Sequence, residues 1–102
     1  MIVVSTKVTL KPGLADECAR LFNETNPALV RNQPNWLGAT MMVDRDTETI
    51  TVNAKWKDEG SYRAMAEKPD FQATMARFAS LFAGPPQITV LELHVDMQPP
   101  EF

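Results

Sequence analysis

Two aromatic side chains six residues apart, Trp56 and Tyr62, are where this chain could do chemistry. A tyrosine hydroxyl can donate a hydrogen bond to a phenolate or carbonyl oxygen, and an indole can stack on a flat ring and shape a pocket around it. Trp56 closes an alternating run that places Ile50, Val52, Ala54 and Trp56 on one strand face. Lys57-Asp58-Glu59-Gly60 then breaks the alternation. Asp58 is positioned to cap the helix that follows, and Tyr62 falls in that helix's first turns. Both aromatics can point into the space between helix and sheet. In a chain of 102 residues that space is the natural place for a ligand.

Other residues share the expected space. Phe71, Met75, Phe78 and Phe82 form one helical stripe, and Phe22 lies on another with Leu14, Cys18, Leu21, Thr25 and Leu29. Met41, Met65 and Met75 fall at pocket-facing positions, and Val52 shares the Trp56 face. These side chains suit ordinary core filling and equally the lining for a flat hydrophobic molecule. Asn53 points to the other strand face. Glu92 and His94, two residues apart on the last strand, could form a proton-transfer pair, two metal ligands, or a hydrogen-bonded pair at an interface. With no second histidine and a single, distant cysteine, the interface pair is favoured over a metal. Cys18, on an apolar stripe, reads as an inert buried thiol.

Composition excludes several classes. A net charge of -3 without a run of Lys or Arg argues against nucleic acid and against an anionic membrane surface. One cysteine rules out an intrachain disulfide. No phosphate-binding glycine loop or dinucleotide fingerprint is present, and the expected protein carries no flavin, heme or transition metal. The first residues enter a strand directly rather than a secretory leader, and the apolar runs are too short to span a bilayer. The expectation is a cytoplasmic protein, with one domain over 1–98 and a tail over 99–102.

The pattern predicts a strand over 2–11, a turn at Pro12-Gly13, and a helix that Pro27 kinks or restarts with Asn26 as cap. A strand over 36–44, a polar connection Arg45-Asp46-Thr47-Glu48 and the Trp56 strand make a hairpin. Two helices separated at Lys68-Pro69-Asp70 follow, Gly84-Pro85-Pro86 stops the second, and a strand over 88–97 ends the fold. This order is the ferredoxin-like split βαβ arrangement, an α+β fold with helices on one face of a four-stranded antiparallel sheet. On the opposite face Val3, Trp36, Met42, Ile88 and Val90 would lie bare in a monomer. Two such faces packed together in a homodimer would bury them, with Ser5, Lys7, Asn53, Glu92 and His94 pairing across the two-fold axis.

Several short patterns are shared with a known family. They are Val8-Thr9-Leu10-Lys11-Pro12-Gly13 before the first helix, Pro34-Asn35-Trp36-Leu37-Gly38 opening the second strand, Ala54-Lys55-Trp56-Lys57-Asp58 before the second helix, and Lys68-Pro69-Asp70-Phe71 opening the third. On these the chain resembles the antibiotic biosynthesis monooxygenase superfamily of dimeric α+β barrels. The resemblance implies a cofactor-free monooxygenase acting on a small aromatic, quinol-like or anthrone-like molecule. It implies catalytic roles for Trp56 and Tyr62, which match a Trp and Tyr of the anthrone-oxidising members. Those members also use an Asn where this chain has Val52, and an Arg near the position of Ala76 or Arg77. Heme-degrading members use a helical axial His, whereas His94 is predicted on a strand. A small-molecule isomerase or a non-catalytic binding protein on the same fold is the alternative.

Overall fold

The computed structural model describes residues 1–100, so the final two residues of the expected tail lie outside the described residues. The elements are β1 (Ile2–Thr9), α1 (Ala15–Val30), β2 (Trp36–Asp44), β3 (Thr49–Trp56), α2 (Glu59–Ala66), α3 (Pro69–Ala79) and β4 (Gln87–Glu92). The strands form one antiparallel sheet in the order β2-β3-β1-β4. This is the ferredoxin-like topology that the element order predicts.

Local chemistry accounts for the boundaries. Gly13, at φ 79, makes the turn out of β1 that a side chain would resist. In the β2–β3 loop the Asp44 carboxylate accepts from the backbone N–H groups of Asp46 and Thr47, at 3.0 and 3.3 Å. Asp58 caps α2 as expected, its Oδ1 accepting from the Ser61 N–H at 2.7 Å. Pro69 occupies the start of α3, where its missing N–H costs nothing.

The sheet's helix-facing side carries the core. At one end Val8, Leu10 and Ile50 pack with Ala15, Cys18, Phe78 and Leu81. At the other, Val4, Trp56 and Met65 form a smaller cluster against which Trp36, Tyr62, Phe71 and Val90 pack. Among the described residues no helix is long and apolar enough to cross a membrane.

Three expectations are corrected. First, of the two outcomes expected at Pro27, a kink or a restart, the restart is excluded: α1 runs on through Pro27, and Asn26 lies inside it rather than capping a new helix. The carbonyl that loses its donor belongs to Asn23, which is exposed, so water can serve it. Second, Trp36 faces the helices, not the open side. A β-bulge at Leu37 and Gly38, with Gly38 at φ 132, resets the strand's phase, so Trp36 sits opposite Trp56 and shares a face with Ala39 and Met41. Third, β4 stops at Glu92, and its phase is the reverse of the expected one. Val90 pairs with buried Val4, and Ile88 with Thr6, so both lie on the helix side, while Leu91 joins Val3 on the open face. The open face therefore presents Val3, Met42 and Leu91 among Ser5, Lys7, Thr51, Asn53 and Lys55. Met42 and Leu91 are 46% and 48% exposed.

Candidate functional site

Between the helices and the sheet lies a cavity of about 150 Å³. The sheet supplies its floor, with Val4, Thr6, Met41, Val52, Ala54 and Trp56, and α1 supplies a roof of Phe22, Thr25, Asn26 and Leu29. Those four α1 positions follow the i, i+3, i+4, i+7 spacing of one helix face. From α2 and α3 come Tyr62, Met65, Phe71, Met75 and Phe78. Met75 and Ile88, both exposed, mark where the cavity reaches solvent.

The geometry gathers Trp56, Tyr62, Phe22, Met41, Val52, Met65, Phe71, Met75 and Phe78 around this one space. The secondary candidates do not join them. Asn53 sits opposite Ser5 and Thr40 on the open face. His94 lies beyond β4, its Nε2 3.0 Å from a Glu92 carboxylate oxygen, with both side chains mostly in water. Neither Ala76 nor Arg77 lines the cavity. Among the described residues no cluster of three or more His, Cys, Asp or Glu could hold a metal.

Trp56 and Tyr62 meet edge to face, with ring centroids 6.1 Å apart and planes at 63°. Two contacts hold the local frame. Asn35 Nδ2 donates to Ser61 Oγ at 2.8 Å, and the Lys57 N–H donates to the Asn35 carbonyl at 2.8 Å. They tie the residue before Trp36 to the first turn of α2, and so set both tryptophans beside Tyr62.

The polar groups of the cavity are few and mostly unengaged. Trp56 is 1% exposed, and its indole Nε1 is sealed from solvent without an acceptor. A buried donor left so costs about 1–3 kcal/mol. The Tyr62 hydroxyl makes no hydrogen bond to any described residue, and burial pushes its pKa above the ordinary 10.0, an effect that Arg63 partly offsets. It is therefore a neutral donor across the physiological range. Among the described residues Tyr62 is also the only titratable side chain in the lining. Cys18 is fully buried in the other cluster, where desolvation raises its pKa and leaves an unreactive thiol.

Sequence reasoning missed several lining residues. Trp36 and Ile88 were assigned to the wrong face, and Thr6 and Asn26 were passed over. For Asn26 a signal existed, since it stands one position from the apolar stripe of α1 at helical spacing from Phe22 and Leu29.

The fold and site together define a small α+β domain with an apolar, ligand-sized chamber under its helices. A family model described as antibiotic biosynthesis monooxygenase matches residues 1–77, and the chain belongs to that family. A stretch of 44 residues is 36% identical to tetracenomycin-F1 monooxygenase of Streptomyces glaucescens, covering 43% of this chain and 39% of that protein's length. The chain thus spans about two fifths of the curated relative it matches. Among solved structures, a mutant of SnoaB, a cofactor-independent oxygenase from Streptomyces nogalater, superposes with a TM-score of 0.75 at 20% identity, over 98% of this chain and 97% of that one. Rv0793 from Mycobacterium tuberculosis superposes with a TM-score of 0.77 at 12% identity, over 95% and 98% of the two chains. At these identities the likeness is one of fold.

Proposed function

We propose that this protein is a cofactor-independent monooxygenase of a small, flat aromatic substrate of the quinol or anthrone type, working as a homodimer. The observation that carries the reading is the pairing of two donors, the Tyr62 hydroxyl and the buried Trp56 indole N–H, in a largely apolar chamber. Donors without acceptors in a dry site are suited to an oxyanion that forms on the substrate. A ligand oxygen reaching Trp56 Nε1 needs a neighbouring side chain to shift, and Met65, packed against it, is the flexible one.

The reaction balances without an added reductant. An anthrone-type CH₂ loses a proton to give a carbanion whose charge spreads onto the ring oxygen, where Tyr62 and Trp56 hold it. The carbanion delivers an electron to O₂, and the resulting pair combines to a peroxide at that carbon. Loss of water then leaves a carbonyl, so CH₂ plus O₂ becomes C=O plus H₂O. Among the described residues the lining offers no carboxylate, imidazole or amine to take the first proton. In this reading the substrate is acidic enough to lose it to solvent at the rim. The same lack of a proton carrier favours, as a second reading, a binding protein that holds such a molecule without turning it over.

Oxygen uptake with a panel of anthrones and hydroquinones separates the two. Tyr62→Phe removes one hydroxyl and little volume, and it should slow turnover by about one to three powers of ten with the fold intact. Because the Tyr62 pKa is raised, its donor form persists through neutral pH, and its contribution to rate and stability is lost only as pH climbs past 10.0 toward the higher folded value. Equal rates for both proteins would remove Tyr62 from the reaction. Tight binding without uptake would leave the binding protein as the function.

A further inference from the structure

Three of the chain's six methionines, Met41, Met65 and Met75, line the chamber. Among the described residues no thiol joins them there. A thioether is an adaptable apolar filler, and it is also a side chain that a peroxide converts to a sulfoxide. The reaction proposed above makes a peroxide in this same space. These sulfur atoms therefore stand beside a reactive oxygen that the methionines of a closed core do not meet.

Met41 is the one that the floor of the chamber singles out. Along it Trp36 pairs with Trp56, Ala39 with Ala54, and Met41 with Val52. The two tryptophans stand at one end, and the alanines between leave room for a flat ring. Four strand residues, about 13 Å, separate Trp56 from the level of Met41. The packing agrees, since Met41 lies against the Val8 and Ile50 cluster and Trp56 belongs to the other. In an anthrone-type substrate the carbon that takes O₂ lies across the ring from the oxygen. A ring laid along this floor with its oxygen at Trp56 turns that carbon toward Met41. Met42, the next residue, points to the open face of the sheet.

The normal exit of the peroxide lacks a catalyst in this lining. Loss of water needs a base to take the remaining hydrogen from the peroxide-bearing carbon, and among the described residues the lining has no carboxylate, imidazole or amine. A sulfur needs no base. Its lone pair attacks the distal peroxide oxygen, the O–O bond breaks, and the proton of that oxygen passes to the oxygen left on carbon. Sulfur loses two electrons and the peroxide gains them, which leaves a methionine sulfoxide and an alcohol at the ring carbon. Resting on the oxygenase reading above, we infer that Met41 is a modification site, oxidised to the sulfoxide by the substrate's own peroxide in a fraction of turnovers. The sulfoxide sets a polar S=O on an apolar floor, so each event weakens substrate binding until the sulfur is reduced.

Turnover of anthrone under ¹⁸O₂, with catalase to clear peroxide from solution, followed by peptide mass spectrometry tests this. Met41 should gain ¹⁸O in step with turnover and exceed Met42 by about tenfold or more, because the oxidant is held beside one sulfur and not the other. Hydrogen peroxide added without substrate should instead oxidise Met1 and Met97, which are 65% and 62% exposed, before Met41. Met41→Leu keeps the volume and has no sulfur to oxidise. Relative to its own initial rate, that variant should hold its activity through more turnovers than wild type. Oxygen uptake without ¹⁸O at Met41, or with ¹⁸O spread over the methionines by exposure, would overturn the inference and leave the oxygenase reading standing. So would first oxidation of Met41 by added peroxide, or a Met41→Leu variant that loses its rate as fast as wild type. Absence of oxygen uptake with every anthrone and hydroquinone would sink the oxygenase reading, and this inference with it.

Discussion

The two ends of the hydrophobic layer are built from the same elements and do opposite things. Around Cys18, Leu10 and Ala15 the side chains are almost wholly buried and do not line the cavity, and no buried side-chain polar atom there lacks a partner. Around Trp56 the packing encloses an open chamber, one buried donor has no acceptor, and a tyrosine hydroxyl stands unengaged. The first end has what stability requires and nothing more. The second accepts the cost of an unpaired donor and missing contacts, which is the pattern of a site that is completed by something else. The proposed site therefore rests on where the fold departs from good packing as well as on resemblance.

The strongest way to break this contrast is to damage the closed end. Leu10 is 1% exposed and does not line the cavity, so Leu10→Ala should cost about 2–5 kcal/mol in chemical denaturation. Ligand affinity of the molecules that remain folded should hardly change. A large loss of affinity with little loss of stability would mean that the two ends are not separate in function.

A second contrast lies between the two faces of the sheet, and its expected effect is smaller. The open face carries Val3, Met42 and Leu91 in a mixed polar setting, and we propose that a second copy covers it. Leu91→Asp would remove about 1.5–3 kcal/mol of apolar burial per subunit and place two like charges near the axis. Light scattering at micromolar concentration should give twice the chain mass for the wild type and a shift toward one chain mass for the variant. A folded wild-type monomer at that concentration would contradict the dimer.

Much of the fold was legible because its signals were local. The four-residue connection between β2 and β3, the Asp58 cap and the Pro69 start each depend on a few adjacent residues whose chemistry admits one outcome. The cavity-facing set of Trp56, Tyr62, Met65, Phe71 and Phe78 followed from strand and helix periodicity. The errors arose where the deciding interaction was distant. In the sequence of the last strand both phases are apolar, with Ile88 and Val90 in one and Leu91, followed by Leu93 beyond the end of β4, in the other. Only pairing with β1 chooses between them. Trp36 was misplaced because Gly38 carries a bulge that strict alternation cannot show. Pro27 suggested a kink or a restart, and Asn26 was the cap that a restart would need. That Asn23, whose carbonyl loses its donor, is an exposed residue is visible only in three dimensions.

The central claim is that the unpaired indole at the open end waits for a ligand's oxygen. The most direct measurement is the ¹H–¹⁵N spectrum of the two tryptophan indoles, assigned with Trp36→Phe, during titration with 1,8-dihydroxyanthrone under argon. The Trp56 indole proton should move downfield as it gains an acceptor, while backbone amides around Cys18 and Leu10 stay in place. A saturable titration that leaves the Trp56 indole signal unmoved would contradict the account.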